Sequence, residues 1–368
     1  MEPITHFLTG ACLSRAGLNR KTPLATLTLV LATEAADLDV FLGIGNRIRG
    51  FAHHRGFTHT FLGAPLVAAL VLAFVYGAYR WSHRGEAPAG CAACPPGDEP
   101  GTQLPPPRWG LLYLYACLGA LVHILLDSTN SYGVRPFDPI SYKWYSWDIV
   151  SIVDPWILAV LILGLVGPWM FGLINEEIGA RRPRYRGRGG AIFALVCLVA
   201  IWGLRDFEHR RAVAAMESVL YQGEEARRVS AYPYSANPFL WMGVAETDTF
   251  FETMHVNSLT GEVDPDGRAV VRYKPEETPA LEAAKQSYLG RVYLDWAQYP
   301  MTEVEPVTGP NDVLLGYAVR FYDLRYTYPE NAARPLGASV ELDDKLNVVS
   351  QHFGWRTRQE EQEERGGR

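Results

Sequence analysis

The sequence predicts an all-α polytopic membrane domain of five or six helical segments, followed by a soluble α+β domain. Three observations carry that reading. Phe61–Tyr79, Trp109–Leu126 and Pro155–Ile174 are apolar runs close to membrane length, since about 30 Å of hydrocarbon takes roughly 20 helical residues to cross. No comparable run occurs after residue 205, where both charge signs mix with many aromatics. The chain closes on "RTRQEEQEERGGR", too charged and too poor in apolar groups to offset the entropy of ordering. The expected organisation is a membrane domain over residues 1–205, an α+β domain over 206–355 and a disordered tail over 356–368.

In chain order, "PITHFLTGACLSRAGL" is compatible with a helix that dips into the bilayer, and no basic n-region precedes an apolar stretch there, so no cleavable signal is expected. Leu24–Ile44 is a weaker crossing because it carries Glu34, Asp37 and Asp39. After Phe61–Tyr79 comes a Pro/Gly-rich connector, 82–108, with no core of its own. Trp109–Leu126 and Pro155–Ile174 follow, then an Arg-rich loop at 175–190 and the short run Ala191–Leu204. In the second half, "WMGVAETDTFFETMHVNSLTGEV" alternates like strands with a turn at "LTGEV". "PALEAAKQSYLGR" reads as a short helix, and "DVLLGYAVRFYDLRY" and "ASVELDDKLNVVSQHF" as antiparallel strands.

A formal net charge of −6 gives no support to a nucleic-acid partner, and none is expected. Five cysteines, an odd number, do not make a disulfide framework. Cys12, Cys117 and Cys197 fall in apolar segments and read as packing residues, and the lone Cys91/Cys94 pair reads as a plain loop. Arg181, Arg182, Arg184, Arg186 and Arg188 place loop 175–190 on the cytoplasmic side by the positive-inside rule. Helix alternation then puts the C-terminal domain outside and gathers the polar residues of the membrane half at the outer surface. Arg47, Arg49 and Arg55 also fall outside, against the rule but fewer in number.

Those polar residues carry the chemistry. In "HILLD", His123 and Asp127 lie four apart, on one helix face about one turn from each other, and they end an apolar run where ionisable groups are functional by default. "HHRGFTH" offers His54 and His59, with neutral imidazole suited to zinc and similar metals. Arg55 between them is expected to grip an anionic group, with lipid-headgroup contact as the bland alternative. In "EAADLDVF", Asp37 and Asp39 point in different directions on a regular helix, so one ion takes one of them unless the helix unwinds. His6 is a further candidate. Asn130, Asp138, Asp148 and Asp154 lie in a stretch whose aromatics fit a membrane-interface belt without any chemistry. No GxSxG elbow, HExxH, P-loop or dinucleotide fingerprint is present.

The order "THFLTGA", "ADLD", "HRGFTHT", "HILLDSTNSYGVRPFDP" resembles the bacterial membrane-bound metal-dependent hydrolases of the YdjM type, over about residues 1–155. That family carries an N-terminal His, a PDxD step, HRGxTH and an HxxLD motif followed by a Gly turn, of which HRGxTH is the most distinctive. "NPFLWMGVAETDTFFETMHVN" is similar to the extramembrane extension of its longer members. The resemblance implies a bacterial inner-membrane location and a metal-ligand set of His6, Asp37, Asp39, His54, His59, His123 and Asp127. This chain departs at Ala36, where a proline is usual. A remoter similarity links the spaced His, Asp, His, HxxxD order to the helical zinc phospholipase C and single-strand nuclease group.

The function these readings predict is an integral membrane hydrolase that binds one or two divalent ions, zinc first among them. Its metal-activated water would attack a phosphoester or other ester of a lipid-like substrate drawn from the bilayer. The alternatives are a transporter or ion-conducting protein, or a scaffold in which a structural metal staples the helices.

Overall fold

The computed structural model describes residues 1–84, 106–177, 187–328 and 336–354. The Cys91/Cys94 loop, most of the Arg-rich loop and the charged tail lie outside the described residues.

The first half runs through α1 (Pro3–Arg15), α2 (Ala25–Glu34), a 3-10 stretch (Ala35–Gly43), α3 (Arg47–His53) and a 3-10 turn (Phe57–His59). It continues with α4 (Gly63–Ser82), α5 (Trp109–Ser128), α6 (Pro155–Glu177) and α7 (Arg188–Glu217). Starts and stops follow local chemistry. At α1, the Glu2 carboxylate accepts from Thr5 N at 3.1 Å and Pro3 takes the first turn, where its missing N–H costs nothing. At α6, Asp154 Oδ1 accepts from Trp156 N and Ile157 N at 3.0 and 3.1 Å, so this aspartate is a helix cap. Leu24–Ile44 is not one long helix: its α-helix ends at Glu34 and the chain tightens into 3-10 geometry through both aspartates.

By length and composition α4, α5 and α7 can each cross a membrane, and Pro155–Pro168 of α6 is a shorter apolar helix. The outward side chains are apolar, with Leu70 and Phe74 on α4, Leu114 on α5 and Phe193 and Val199 on α7 more than half exposed. Without a hydrophobic drive between helices in lipid, close packing relies on small residues. A Cβ on Gly10 would fall 2.5 Å from Thr33 Oγ1, and one on Gly119 would fall 2.7 Å from Ala32 Cβ. These two glycines bring α1 and α5 close against α2, whose end carries the site.

The second half forms an antiparallel sheet of β1 (Arg228–Pro233), β2 (Leu240–Glu246), β3 (Phe250–Asn257), β4 (Glu262–Val263) and β5 (Val270–Tyr273), ordered β1-β2-β3-β4 with β5 also on β3. Then come α8 (Pro279–Gln286), α9 (Tyr288–Trp296) and a second antiparallel sheet of β6 (Pro300–Thr308), β7 (Leu314–Asp323), β8 (Ala338–Asp343) and β9 (Val348–Phe353), in sequence order. The all-α membrane domain followed by an α+β domain is therefore the observed architecture. Two cores explain why β2 and β3 are buried nearly throughout. Trp241, Phe250 and Met254 pack with Ala212 and Met216 of α7, while Met242, Val244 and Phe251 pack on the other face with Tyr299, Met301 and Tyr322. The expected single helix after residue 278 is two, because Ser287 is extended and its hydroxyl accepts from Gly290 N at 3.0 Å to start a new one.

The chain forms two compact units: Met1–Leu38 with Arg55–Trp147 and Ser151–Leu204, and Asp39–His54 with Asp148–Val150 and Arg205–Arg368. Within the second, Phe51 of α3 stacks on Phe353 at 4.1 Å and meets Trp296 edge-on at 5.3 Å. That aromatic contact ties α3 to the sheet domain.

Candidate metal centre

Asp37, His59, His123 and Asp127 place one donor atom each within 4.8 Å of all the others. Local structure explains the convergence. α5 presents His123 and Asp127 on one face, with Nε2 and Oδ2 3.4 Å apart. The turn carrying His59 is pinned by Thr60, whose hydroxyl donates to Phe57 O at 2.9 Å and accepts from Gly63 N at 2.8 Å. Gly63 is needed there, since a Cβ would sit 1.9 Å from Phe57 O. The 3-10 stretch separates the two aspartates: Asp37 joins the group, while Asp39 Oδ1 bonds His54 Nδ1 at 2.8 Å within the other unit.

His59 Nε2 and His123 Nε2 face each other at 3.0 Å. Asp37 Oδ1 lies 3.3 and 3.5 Å from these nitrogens, and Asp127 Oδ2 lies 3.4 Å from both. The opposite ring nitrogens are held: His123 Nδ1–H donates to Thr33 O at 2.7 Å, and His59 Nδ1 meets Thr58 Oγ1 at 3.0 Å. A ring that donates through Nδ1 turns the lone pair of Nε2 inward, the tautomer a metal-ligating histidine needs. His123 thus turns its Nε2 lone pair inward, and beside two carboxylates it makes a concentration of donor atoms that a cation would balance. His59, His123 and Asp127 are fully buried and the Asp37 side chain is 22% exposed, so water cannot replace that cation fully. Asp127 Oδ2 and both ring nitrogens of His6 are buried without a hydrogen-bond partner. The donor set therefore fits a divalent ion, with N and O ligands of the kind zinc accepts.

Around the four, the His6 ring stacks on His123 at 4.0 Å and its Nε2 lies 3.4 Å from Asp127 Oδ1. The Met1 α-amine also contacts that oxygen. Arg55, buried and at φ 54°, donates through Nη2 to Asp127 Oδ1 at 3.0 Å and through Nη1 to Gly133 O at 2.9 Å. Its guanidinium covers the Tyr132 ring at 4.7 Å and reaches Asn130 Oδ1 at 3.3 Å. The sequence marks Arg55 for an anionic substrate, and the structure gives it Asp127 as a carboxylate partner within the protein. Thr33 and Tyr132 are partners that sequence reasoning missed, and only the Gly turn after HxxLD hinted that this loop folds back on the site.

Residues 1–212 match the family model described as YdjM inner membrane protein. Residues 279–365 match that of the YfhP C-terminal alpha/beta plait domain. The chain is also similar to Uncharacterized protein YfhP of Bacillus subtilis (strain 168), with 22% identity over 331 residues, 89% of this chain and 85% of that protein. No solved structure matches. The likeness to the zinc phospholipase C and nuclease group finds no support in these matches. With more than half of its length covered, and with the His/Asp group inside the matched region, the chain belongs to the YdjM inner membrane protein family.

Proposed function

We propose that this protein is an integral membrane metal-dependent hydrolase, with Asp37, His59, His123 and Asp127 holding a divalent ion, His6 serving as an outer member of the set, and zinc the favoured metal. The observation that carries the reading is the pair of imidazoles whose Nε2 atoms face each other and two carboxylates while their Nδ1 atoms are anchored. A divalent ion supplies Lewis-acid polarisation of an ester oxygen and hydroxide at neutral pH. The chain's own residues do the rest. Thr33 O and Thr58 fix the two imidazoles, and Arg55 works as a positioning residue that orients Asp127. Asp37, the partly exposed member, lies on the side open to substrate.

A phosphoester or other ester with a lipid part suits this site. The segments that carry Asp37 and His59 expose Leu38, Phe57, Phe61 and Leu62, each close to half exposed or more. Such flanks favour an acyl chain arriving through the bilayer. The test is a screen of phospholipid and nucleotide esters with detergent-purified, zinc-loaded protein. Turnover by wild type and none by a His123→Ala, Asp127→Ala variant is the expected result. No turnover by either, with chelation melting the membrane domain, would make the metal a staple.

The C-terminal domain is proposed to lie outside the inner membrane, on the strength of the Arg-rich loop. Thr260, exposed beside the β3–β4 turn, is a suitable reporter. In a background without the native cysteines, Thr260→Cys should react with an impermeant thiol reagent as soon as the outer face of that membrane is accessible. Labelling only after inner-membrane lysis would reverse the orientation.

A further inference from the structure

In the proposed orientation Arg47 and Arg49 lie on the side where the positive-inside rule expects few cations, and only Arg55, with Asp127 as its partner, is accounted for. Both arginines are exposed on α3, just after a stretch of chain that holds Val40, Phe41, Leu42 and Ile44. Ile44 is 77% exposed, Val40 and Phe41 are each 60% exposed, and Leu42 is nearly half exposed. Local packing holds this apolar tip in shape. Its 3-10 stretch ends at Gly43, a Cβ on Gly50 of α3 would fall 2.7 Å from Gly43 Cα, and Asn46 caps α3 by accepting from Arg49 N at 3.0 Å. Phe51 then fixes α3 to Phe353 and Trp296 of the same unit.

Apolar side chains beside two cations suit a membrane interface, where the former enter the acyl boundary and the latter stay among the phosphates. Among the described residues neither guanidinium takes part in a hydrogen bond, ion pair or ring contact. Both are open to an anionic oxygen, which arginine can hold through two N–H donors at once. The chain also keeps the tip near lipid: Val40 follows α2 through one 3-10 stretch, and α2 packs against the membrane-length α5. We propose that residues 40–44 dip into one leaflet of the bilayer while Arg47 and Arg49 bind the phosphates of anionic phospholipids. The compact unit that carries the two sheets then has a membrane contact of its own, independent of the metal centre.

The test uses the full chain without its native cysteines, carrying Ile44→Cys and a thiol-linked fluorophore, in vesicles of phosphatidylcholine alone or with an equal share of phosphatidylglycerol. Thr260→Cys, exposed beside the β3–β4 turn, is the water-facing reference. Acrylamide should quench the Ile44→Cys probe several-fold less than the Thr260→Cys probe, and a lipid spin-labelled near the top of its acyl chain should quench it strongly. An arginine at an anionic surface favours the bound position by about fivefold, so phosphatidylglycerol should deepen the shielding and the double variant Arg47→Gln, Arg49→Gln should cancel that gain. If the double variant does not fold, high salt, which screens exposed charges, should cancel it instead. Equal acrylamide quenching of the two probes would overturn the insertion. Shielding without quenching by the lipid label would mean that protein, such as a second copy of the chain, covers the tip, and would overturn it too. No gain from phosphatidylglycerol, or a gain that survives both the double variant and high salt, would overturn the role of the arginines.

Discussion

Asp127→Asn should cost the protein its divalent ion while leaving the membrane helices inserted. Asp127 is fully buried, faces both imidazole Nε2 atoms at 3.4 Å and lies 3.4 Å from the His6 ring. An amide keeps the shape and removes the charge. Partners beyond the ligands of a metal are worth about 10–100-fold in affinity, so loss of a direct carboxylate should exceed about 100-fold. Metal content per chain after gel filtration, read beside protease protection of the inserted helices, checks both halves. Full occupancy in Asp127→Asn would remove this residue from the set.

Arg55→Ala carries the second large effect, and its size depends on metal. Removing one partner of a buried ion pair typically costs about 3–5 kcal/mol, because the other charge stays behind uncompensated. Here the charge left behind is Asp127, which keeps the Met1 α-amine as a partner, while the Gly133 carbonyl and Asn130 Oδ1 each lose a donor, Tyr132 N still donating to Asn130. In chelator the variant should therefore melt well below wild type. Zinc should narrow the gap, since a cation among the four residues supplies part of what the guanidinium gave. Arg55→Lys should rescue poorly, because a point charge cannot bridge the carboxylate and the loop as a planar fork does. Equal melting of wild type and Arg55→Ala in chelator would deny Arg55 its positioning role and return it to the anion-gripping role that its motif implies.

Features fixed by local geometry were legible in the sequence. Helical spacing of four put His123 and Asp127 on one face, and the structure has them 3.4 Å apart. The apolar runs announced α4 and α5 to within a few residues. What depends on backbone detail was not legible. Whether Asp37 or Asp39 meets the histidines turns on a change from α to 3-10 geometry at residue 35, in a stretch that departs from its family at Ala36. The partners of Arg55 depend on a loop, 130–133, that must fold back before they exist. In the second half, β1 and β6 gave no clear signal, because "RVSAYP" and "PMTEVEPVT" are only half buried and each carries proline at a strand end. The break between α8 and α9 rests on a serine cap that competes with a continuous helical pattern.

The central claim is that two imidazoles and two carboxylates of this membrane domain hold one ion. X-ray absorption at the zinc edge of the purified, zinc-loaded full-length protein addresses it most directly. Zinc–nitrogen and zinc–oxygen bonds fall at about 2.0–2.2 Å and zinc–sulfur at about 2.3 Å. The account predicts a shell of N and O only, with outer scattering from two imidazoles that falls to one in His123→Ala. A sulfur shell, or a spectrum that His123→Ala leaves unchanged, would contradict it.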